Sequence, residues 1–248
     1  MSANPESTLV TAATRALAIL DIFTMEEPHL GLSEIARRVR LAKSTTLRLL
    51  KTLESSGYAV QNDNAQWRLG PATASLGARY QIAFDIRENI EPALRTLSDS
   101  IGEDTSFFVR DGGRRIRLIK VQYPNAQHNR ATVGESMPLD RGAAGKVILA
   151  AAGQQGKLYD EIRARGYHVT VGEAKVTSAS IGVPVFGSRW RVIGALCIGA
   201  PAEANVEIKL AGFASQLKRA AEALSAALSY ESDGAAQRLI KARATWHP

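Results

Sequence analysis

Arg37, Arg38, Arg40, Lys43, Arg48 and Lys51 form a run of six cations with no acidic residue among them. Clustering of one sign on a short segment is the electrostatic footprint of phosphate contact. Within the run, Ser44, Thr45 and Arg48 fall on one arc if the segment is helical, because i, i+1 and i+4 point the same way. An arginine there can take guanine O6 and N7 as a bidentate pair, while serine and threonine reach phosphates or base edges. A helix N-terminus close to Lys43 would add backbone N–H groups for a phosphate. Arg38 before the run's turn and Arg68 beyond it extend the candidate contact set. This is chemistry for reading double-stranded DNA.

Catalytic motifs fail on inspection. Gly134-Glu135-Ser136 is followed by Met137 and Pro138, so no Gly-x-Ser-x-Gly nucleophile elbow forms. Gly145-Lys146 is followed by Val147, and Asp140 stands where a phosphate-binding loop needs its first glycine. His29, His128, His168 and His247 are scattered without metal-ligand spacing, and one cysteine cannot complete a zinc site with them. The expectation is a protein without enzyme activity, metal or cofactor. The alternative is a small-molecule hydrolase or other enzyme with an accessory DNA-binding domain.

The 248 residues are 45% hydrophobic and 22% charged, ordinary globular values with room for two domains. The longest uncharged stretches, Val176–Ser188 and Val192–Ala202, are far shorter than the ~20 apolar residues of a membrane span. Residues Met1–Thr8 are polar, with none of the apolar core of a secretory signal. Cys197 is the only cysteine, so an intrachain disulfide is impossible. A cytoplasmic location with no membrane partner is expected. The net charge of +7 is not concentrated at the N-terminus: residues 1–80 hold nine Lys/Arg against seven Asp/Glu. Only the local run is informative.

The elements around that run are legible. Ala13, Ala16, Leu17, Leu20 and Phe23 have amphipathic spacing, predicting a helix over 13–25 that ends before Pro28 and Gly31. Ser33–Val39 reads as a short helix with Ser33 as N-cap. Residues Arg40–Ala42 can only turn. A third helix follows from about Lys43 to Ser56, burying Leu47, Leu50 and Leu53 and stopping at Gly57. Strands Tyr58–Asn62 and Gln66–Leu69 are joined through Asp63-Asn64-Ala65, residues suited to a tight hairpin. Helix, helix, turn, helix and ribbon make a winged helix-turn-helix, whose third helix enters the major groove.

The remainder alternates. Pro71 opens a connecting helix over 71–87, and Ile90, Leu94, Leu97 and Ile101 mark another helix, closed at Gly102. Strands Thr105–Val109 and Arg115–Val121 flank the Asp111-Gly112-Gly113 turn. Helices are read at Gly145–Ala152 and Leu158–Arg165, and strands at Ser178–Phe186 and Val192–Ile198. Pro184 argues for an edge or bulge. One long helix spans about Glu203–Ser229. The stretch Arg110–Lys120 carries Arg110, Arg114, Arg115, Arg117 and Lys120, and reads as a solvated hairpin, with an anionic ligand or DNA as alternatives. The sum is an α/β domain on a mixed or antiparallel sheet.

Several stretches together resemble the IclR family of bacterial transcription regulators. In the first domain these are Leu32-Ser33-Glu34-Ile35-Ala36, Lys43-Ser44-Thr45-Thr46-Leu47-Arg48-Leu49-Leu50, Leu53-Glu54-Ser55-Ser56-Gly57-Tyr58 and Trp67-Arg68-Leu69-Gly70-Pro71. In the second they are Pro138-Leu139, Gly145-Lys146, Gly166-Tyr167, Gly172-Glu173, Pro184-Val185-Phe186 and Gly194-Ala195-Leu196. The resemblance covers roughly residues 12–229. It implies an α+β chain: a winged helix-turn-helix (13–70) after a tail (1–12), a linker helix (71–87), a GAF-like α/β effector-binding domain (88–230) and a C-terminal tail (231–248).

The resemblance also implies the function: operator binding controlled by a small effector, an organic acid or aromatic compound, acting on the arrangement of the domains across the linker. The partners implied are a palindromic operator in double-stranded DNA and a second copy, as a homodimer or dimer of dimers. Carried over by position, the DNA contacts are Arg38, Lys43, Ser44, Thr45, Arg48 and Arg68. The effector contacts are Ala143 and Ala144 in a loop before the Gly145 helix, Thr170, Ser180, Cys197 and Gly199. A glyoxylate- and pyruvate-sensing family member has an acid where this chain has Thr170, and a serine where it has Gly199. That departure implies a different, larger or more apolar ligand here.

Overall fold

The computed structural model describes residues 9–83, 86–124 and 132–228. The expected tails therefore lie largely outside the described residues, as do positions 84 and 85 of the expected linker. The chain divides into two compact units, Met1–Phe84 and Asp85–Pro248.

In the first unit, α1 (Thr11–Asp21) precedes the two-residue β1 (Leu30–Gly31), α2 (Leu32–Arg38) and α3 (Lys43–Ser55). Strands β2 (Ala59–Gln61) and β3 (Gln66–Leu69) form the ribbon, and β1 joins β3 as a third strand that the sequence does not announce. Leu30 pairs with Trp67, so β1 closes over the wing. The turn between α2 and α3 places Arg40 at φ 53°. Gly57, at φ 76°, releases the chain from α3 into β2. In the hairpin, the side-chain oxygen of Asn62 accepts the N–H groups of Asn64 (3.1 Å) and Gln66 (2.9 Å). Ile19, Leu30, Ile35, Leu50, Leu53, Ala59 and Trp67 make one small core.

Two expectations for these helices need correcting. Ser33 does not cap α2; Gly31 holds the N-cap position without a side-chain bond, because β1 runs straight into the helix. Leu47 is 38% exposed, while Thr46 is completely buried in its place. The Thr46 hydroxyl donates to the Ala42 carbonyl at 3.0 Å, and with its polar group satisfied the side chain packs as an apolar one. Helix α4 (Pro71–Ala83) follows, and the second unit starts with a π-helical turn over Ile86–Ile90.

The second unit is a six-stranded sheet in the order β6-β5-β4-β9-β8-β7, with every pair antiparallel. The strands are β4 (Asp104–Asp111), β5 (Arg114–Val121), β6 (Ser136–Pro138), β7 (His168–Val171), β8 (Ser178–Phe186) and β9 (Val192–Pro201). The short β6 and β7 were not foreseen. Pro184 lies on β8 beyond the last residue paired with β7, beside a register shift at Val185/Phe186, where a missing amide donor costs least. Helices α5 (Glu91–Ile101), α6 (Gly142–Ala151), α7 (Lys157–Arg165) and α8 (Val206–Gly212) surround the sheet. The expected long last helix is interrupted at Phe213, and a further helix, α9, runs over 214–228.

Alternation in the strands sorts the residues between the two faces. Phe108, Ala195 and Cys197 point toward α6, where Leu139, Ala144, Val147 and Ile148 complete a core. Thr105, next to Ser106 in sequence, faces the other way and donates to the Leu94 carbonyl of α5 at 3.0 Å. No helix of the described residues is long and apolar enough to cross a membrane.

Candidate functional site

Helix α3 presents Lys43, Ser44, Leu47 and Arg48 to solvent, with Thr45 half-buried beside them. Burial of Thr46, Leu50 and Leu53 fixes this orientation. The N-cap residue Ala42 makes no side-chain bond to the first turn, so the N–H groups there have no side-chain partner. Lys43, Arg48 and Arg40 form no ion pair among the described residues. On the wing, the guanidinium of Arg68 makes one long bond, 3.4 Å, to the Leu69 carbonyl.

The other cations of the run are neutralised at home. Arg38 binds Glu27 through Nη1 (2.8 Å) and Nη2 (2.9 Å), and Glu34 through Nε (2.6 Å). Arg37 binds the same Glu34 at 2.6 and 3.0 Å. The hydrogen bonds from Arg37 and Arg38 pull the Glu34 carboxyl down to about 2, and those that Arg38 donates to Glu27 and Glu34 raise its own guanidinium above its ordinary value. Lys51 pairs with Glu54 at 2.8 Å and sits 5.3 Å from the Trp67 ring centroid. Half of the apparent basic patch is thus internally balanced. Its free part is Arg40, Lys43 and Arg48. Leu47 joins this face although its hydrophobicity and helical spacing predict a core position.

In the second unit, a cavity of about 60 Å³ opens between the sheet and α6. Ala144, Ser180, Cys197 and Gly199 line it, four of the six expected effector residues. Cross-strand pairing explains the convergence: Thr170 faces Ser180, Ser180 faces Gly199, and Cys197 faces both Gly182 and Ser106. Thr170 is buried one strand further out, its hydroxyl 3.3 Å from that of Ser180. Ala143 is buried but does not line the cavity. Ala143 and Ala144 are also not in a loop. They occupy the first turn of α6, which starts at Gly142. Gly145 permits this, since a Cβ there would lie 1.9 Å from the Leu139 carbonyl oxygen. Glu173 ties the same turn down by accepting the Gly142 N–H at 3.1 Å and the Lys146 ammonium at 2.6 Å.

Arg115 and Arg117 also line the cavity, which overturns the solvated-hairpin reading for half of that stretch. Arg115 is only 2% exposed. Its guanidinium donates to the carbonyls of Pro138 and Arg141 and approaches the Met137 sulfur at 3.5 Å. Arg117 donates to the Ser106 hydroxyl (2.6 Å) and to Glu135 (3.3 Å). Both lie over the Phe108 ring, 5.6 and 4.6 Å from its centroid. Lys120 is buried as well, paired with Asp104 at 2.9 Å. Burial pushes both arginines below their ordinary pKa. Burial acts to raise Glu135, but the bond from Lys175 and the charge of Arg117 prevail and hold it below the usual carboxylate range. The Cys197 thiol is pushed up to about 12 by burial, so it stays protonated and is a poor redox sensor.

Family models match both units: the IclR helix-turn-helix domain over residues 12–63, and the bacterial transcriptional regulator IclR C-terminal domain over 78–158 and 156–226. The chain belongs to the IclR family. It is a transcription regulator with a helix-turn-helix DNA-binding domain. Among its relatives, the Escherichia coli HTH-type transcriptional regulator XynR is 29% identical, over 90% of this chain and 98% of that one. The Bacillus subtilis regulator KipR is 24% identical over 87% and 96%. An IclR family transcriptional regulator from Brucella abortus superposes with TM-score 0.74 at 25% identity, covering 92% of this chain and 97% of its own. An IclR homolog from Microbacterium hydrocarbonoxydans, complexed with 4-hydroxybenzoate, shares the fold with TM-score 0.72 at 22% identity, over 88% and 99%.

Proposed function

We propose that this family member reads a palindromic operator through α3 and that a small-molecule effector in the second unit's cavity controls the binding. The observation that carries the DNA half is the exposed, unpaired set of Lys43, Ser44 and Arg48 on a helix whose other face is core. Arg48 reads a base edge, while Ser44, Thr45 and the N-terminal N–H groups of α3 hold phosphates. Leu47 offers an apolar contact to a thymine methyl. Lys43 and the wing's Arg68 supply phosphate affinity, and Arg38 orients the turn through Glu27 and Glu34 and contributes less to DNA.

The effector half rests on four carried-over residues lining one cavity. An effector shifts the DNA-bound population only if it prefers one of two states of the protein, whose reach is transmitted through a linker over 71–87. The functional boundaries we infer are 13–70 for reading and 88–230 for sensing.

A homodimer or dimer of dimers in the cytoplasm fits this scheme. Leu9, Val10 and Leu17 around α1, and Leu76 and Tyr80 on α4, are large apolar side chains 40–69% exposed, more than one small unit buries by itself. Two-fold symmetry would then match operator half-sites about 34 Å apart or a multiple of it. The similarities are to regulators and give a hydrolase reading no support. Fluorescence anisotropy with DNA from the protein's own promoter region tests the reading. Saturable binding that unrelated DNA of equal length does not compete is expected, and equal affinity for both sequences would end it.

A further inference from the structure

We infer that a groove between the β8–β9 turn and α9 is the docking site of the chain's own C-terminal segment, residues 229–248. The groove shares no lining residue with the cavity beneath α6 and measures about 750 Å³. Phe186, Arg189 and Trp190 line one side, and Lys218, Glu222 and Ala226 of α9 line the other.

The rim of this groove is costly to maintain. Trp190 is 84% exposed, although an indole gains much from burial. Arg189 and Trp190 stand in succession at φ 56° and 55°, a left-handed region that side chains with a Cβ rarely adopt. Two such residues between paired strands make a tight turn that favours Asn-Gly, not Arg-Trp. The turn is nevertheless anchored. The Phe186 N–H donates to the Ser225 hydroxyl at 3.0 Å, and that hydroxyl donates to the Ala221 carbonyl at 2.6 Å. The rings of Phe186 and Trp190 meet edge to face, with centroids 6.0 Å apart. An indole fixed by a strained turn beside an apolar trough is placed to be covered.

Connectivity, length and charge select the occupant. Helix α9 runs to 228, and its Ser225 and Ala226 line the groove, so the following residues start within one turn of it. Residues 229–234, ending on Gly234, can span at most about 20 Å, enough to reverse direction. Beyond them Ala235, Ala236, Leu239 and Ile240 have the spacing of one apolar helical stripe, with Gln237, Arg238 and Lys241 opposite. As a helix, residues 235–242 would rise about 12 Å, the length of α9 between Lys218 and Ala226. The groove offers Arg189 and Lys218 against Glu222, none of them in an ion pair among the described residues. The segment brings both signs as well, Glu231 and Asp233 and then Arg238 and Lys241. Docked in this way, Leu239 and Ile240 cover the indole of Trp190.

Two measurements on the full-length chain test this. Cys197 is the only cysteine and is buried, so an introduced pair reacts on a silent background. In Ser188→Cys with Ile240→Cys, a short bis-maleimide should join the two positions within one chain, read by mass spectrometry of the linked peptides. A link between two chains would put a second copy in the groove and overturn the inference, and so would the absence of any link. The second readout is acrylamide quenching in a Trp246→Phe chain, where Trp67 is buried and Trp190 reports. Leu239→Asp with Ile240→Asp should raise the quenching constant at least two-fold, and Trp190→Phe should remove that rise. Quenching equally strong with and without the two aspartates means an uncovered groove. Quenching equally weak in both means another occupant, a small molecule or a partner protein. Either result overturns the inference, and should the aspartate variant not fold, the cross-link alone decides.

Discussion

Replacing the cations of the 37–51 run one at a time should divide them into two groups by salt dependence. Each phosphate contact made by a cation contributes about 0.9 to the slope of log K against log salt. If all six cations met phosphates, the run would contribute about 5.4 per bound unit. The structure allows less. The four charges of Glu27, Glu34, Arg37 and Arg38 sum to zero in one hydrogen-bonded cluster, and Lys51 is paired with Glu54. Only Arg40, Lys43 and Arg48 remain, and with Arg48 on a base edge the two phosphate contacts left should contribute about 1.8. Lys43→Ala should flatten the slope by about 0.9 and weaken all sequences alike. Arg48→Ala should instead leave the slope nearly unchanged and cost about 1–3 kcal/mol, about 5- to 150-fold, at one base position, if its contact is bidentate. Arg37→Ala and Lys51→Ala should leave the slope nearly unchanged. The assay is anisotropy on wild-type and single-base operators from 50 to 200 mM salt. Circular dichroism should show Arg48→Ala folding normally, since no ion pair is lost with it. Equal slope changes for Arg37→Ala and Lys43→Ala would refute the division of the run. Unchanged base preference in Arg48→Ala would refute its role in reading.

Three further outcomes follow from the second unit. Gly199 lines the cavity and a Cβ there meets nothing within 4 Å, so Gly199→Val should fill the space and keep the fold, and a compound that raises the wild-type melting temperature should leave this variant's unchanged; a response equal to wild type would place the ligand elsewhere. Gly145→Ala should drive its methyl into the Leu139 carbonyl and lower stability by about 1–3 kcal/mol in urea denaturation, whereas an unchanged midpoint would contradict the close packing of α6. His168 is held below its ordinary pKa of about 6.5 chiefly by burial, with its Nε2 buried and unpartnered, so the unfolded chain binds a proton that the folded one refuses. Stability should therefore fall as pH drops below about 6.5, and His168→Asn should remove that part of the pH dependence of the melting temperature.

What could be read from the chain depended on how local its causes are. The helices of the first unit follow from 3–4 spacing and from Gly57, and their order gives the winged helix directly. Leu47 and Thr46 were misassigned because hydrophobicity ranks them one way, while one local bond, from the Thr46 hydroxyl to Ala42, ranks them the other. Strands β1, β6 and β7 have two to four residues, too few for a period to register, and exist only because longer strands offer them an edge. The last helix was read through Phe213 because its apolar stripe continues unbroken across the interruption.

The arginines of β5 are the part of the cavity least legible in the sequence. Arg115 and Arg117 stand two apart, hence on one face, but nothing local says whether that face meets water or α6. The register decides it. Strand β4 shifts register between Phe107 and Phe108, so that Phe107 opposes Ile119 and Phe108 opposes Arg117. That single irregularity sets Phe108 and Arg117 side by side on the face where β9 places Cys197 and α6 places Ala144. A charged side chain on a buried face would ordinarily count against such a register. Here the ring of Phe108, the carbonyls of Pro138 and Arg141 and the shared Glu135 take up part of the cost. They leave one buried positive charge and two N–H groups unsatisfied, and that is the residual cost of placing these arginines on this face.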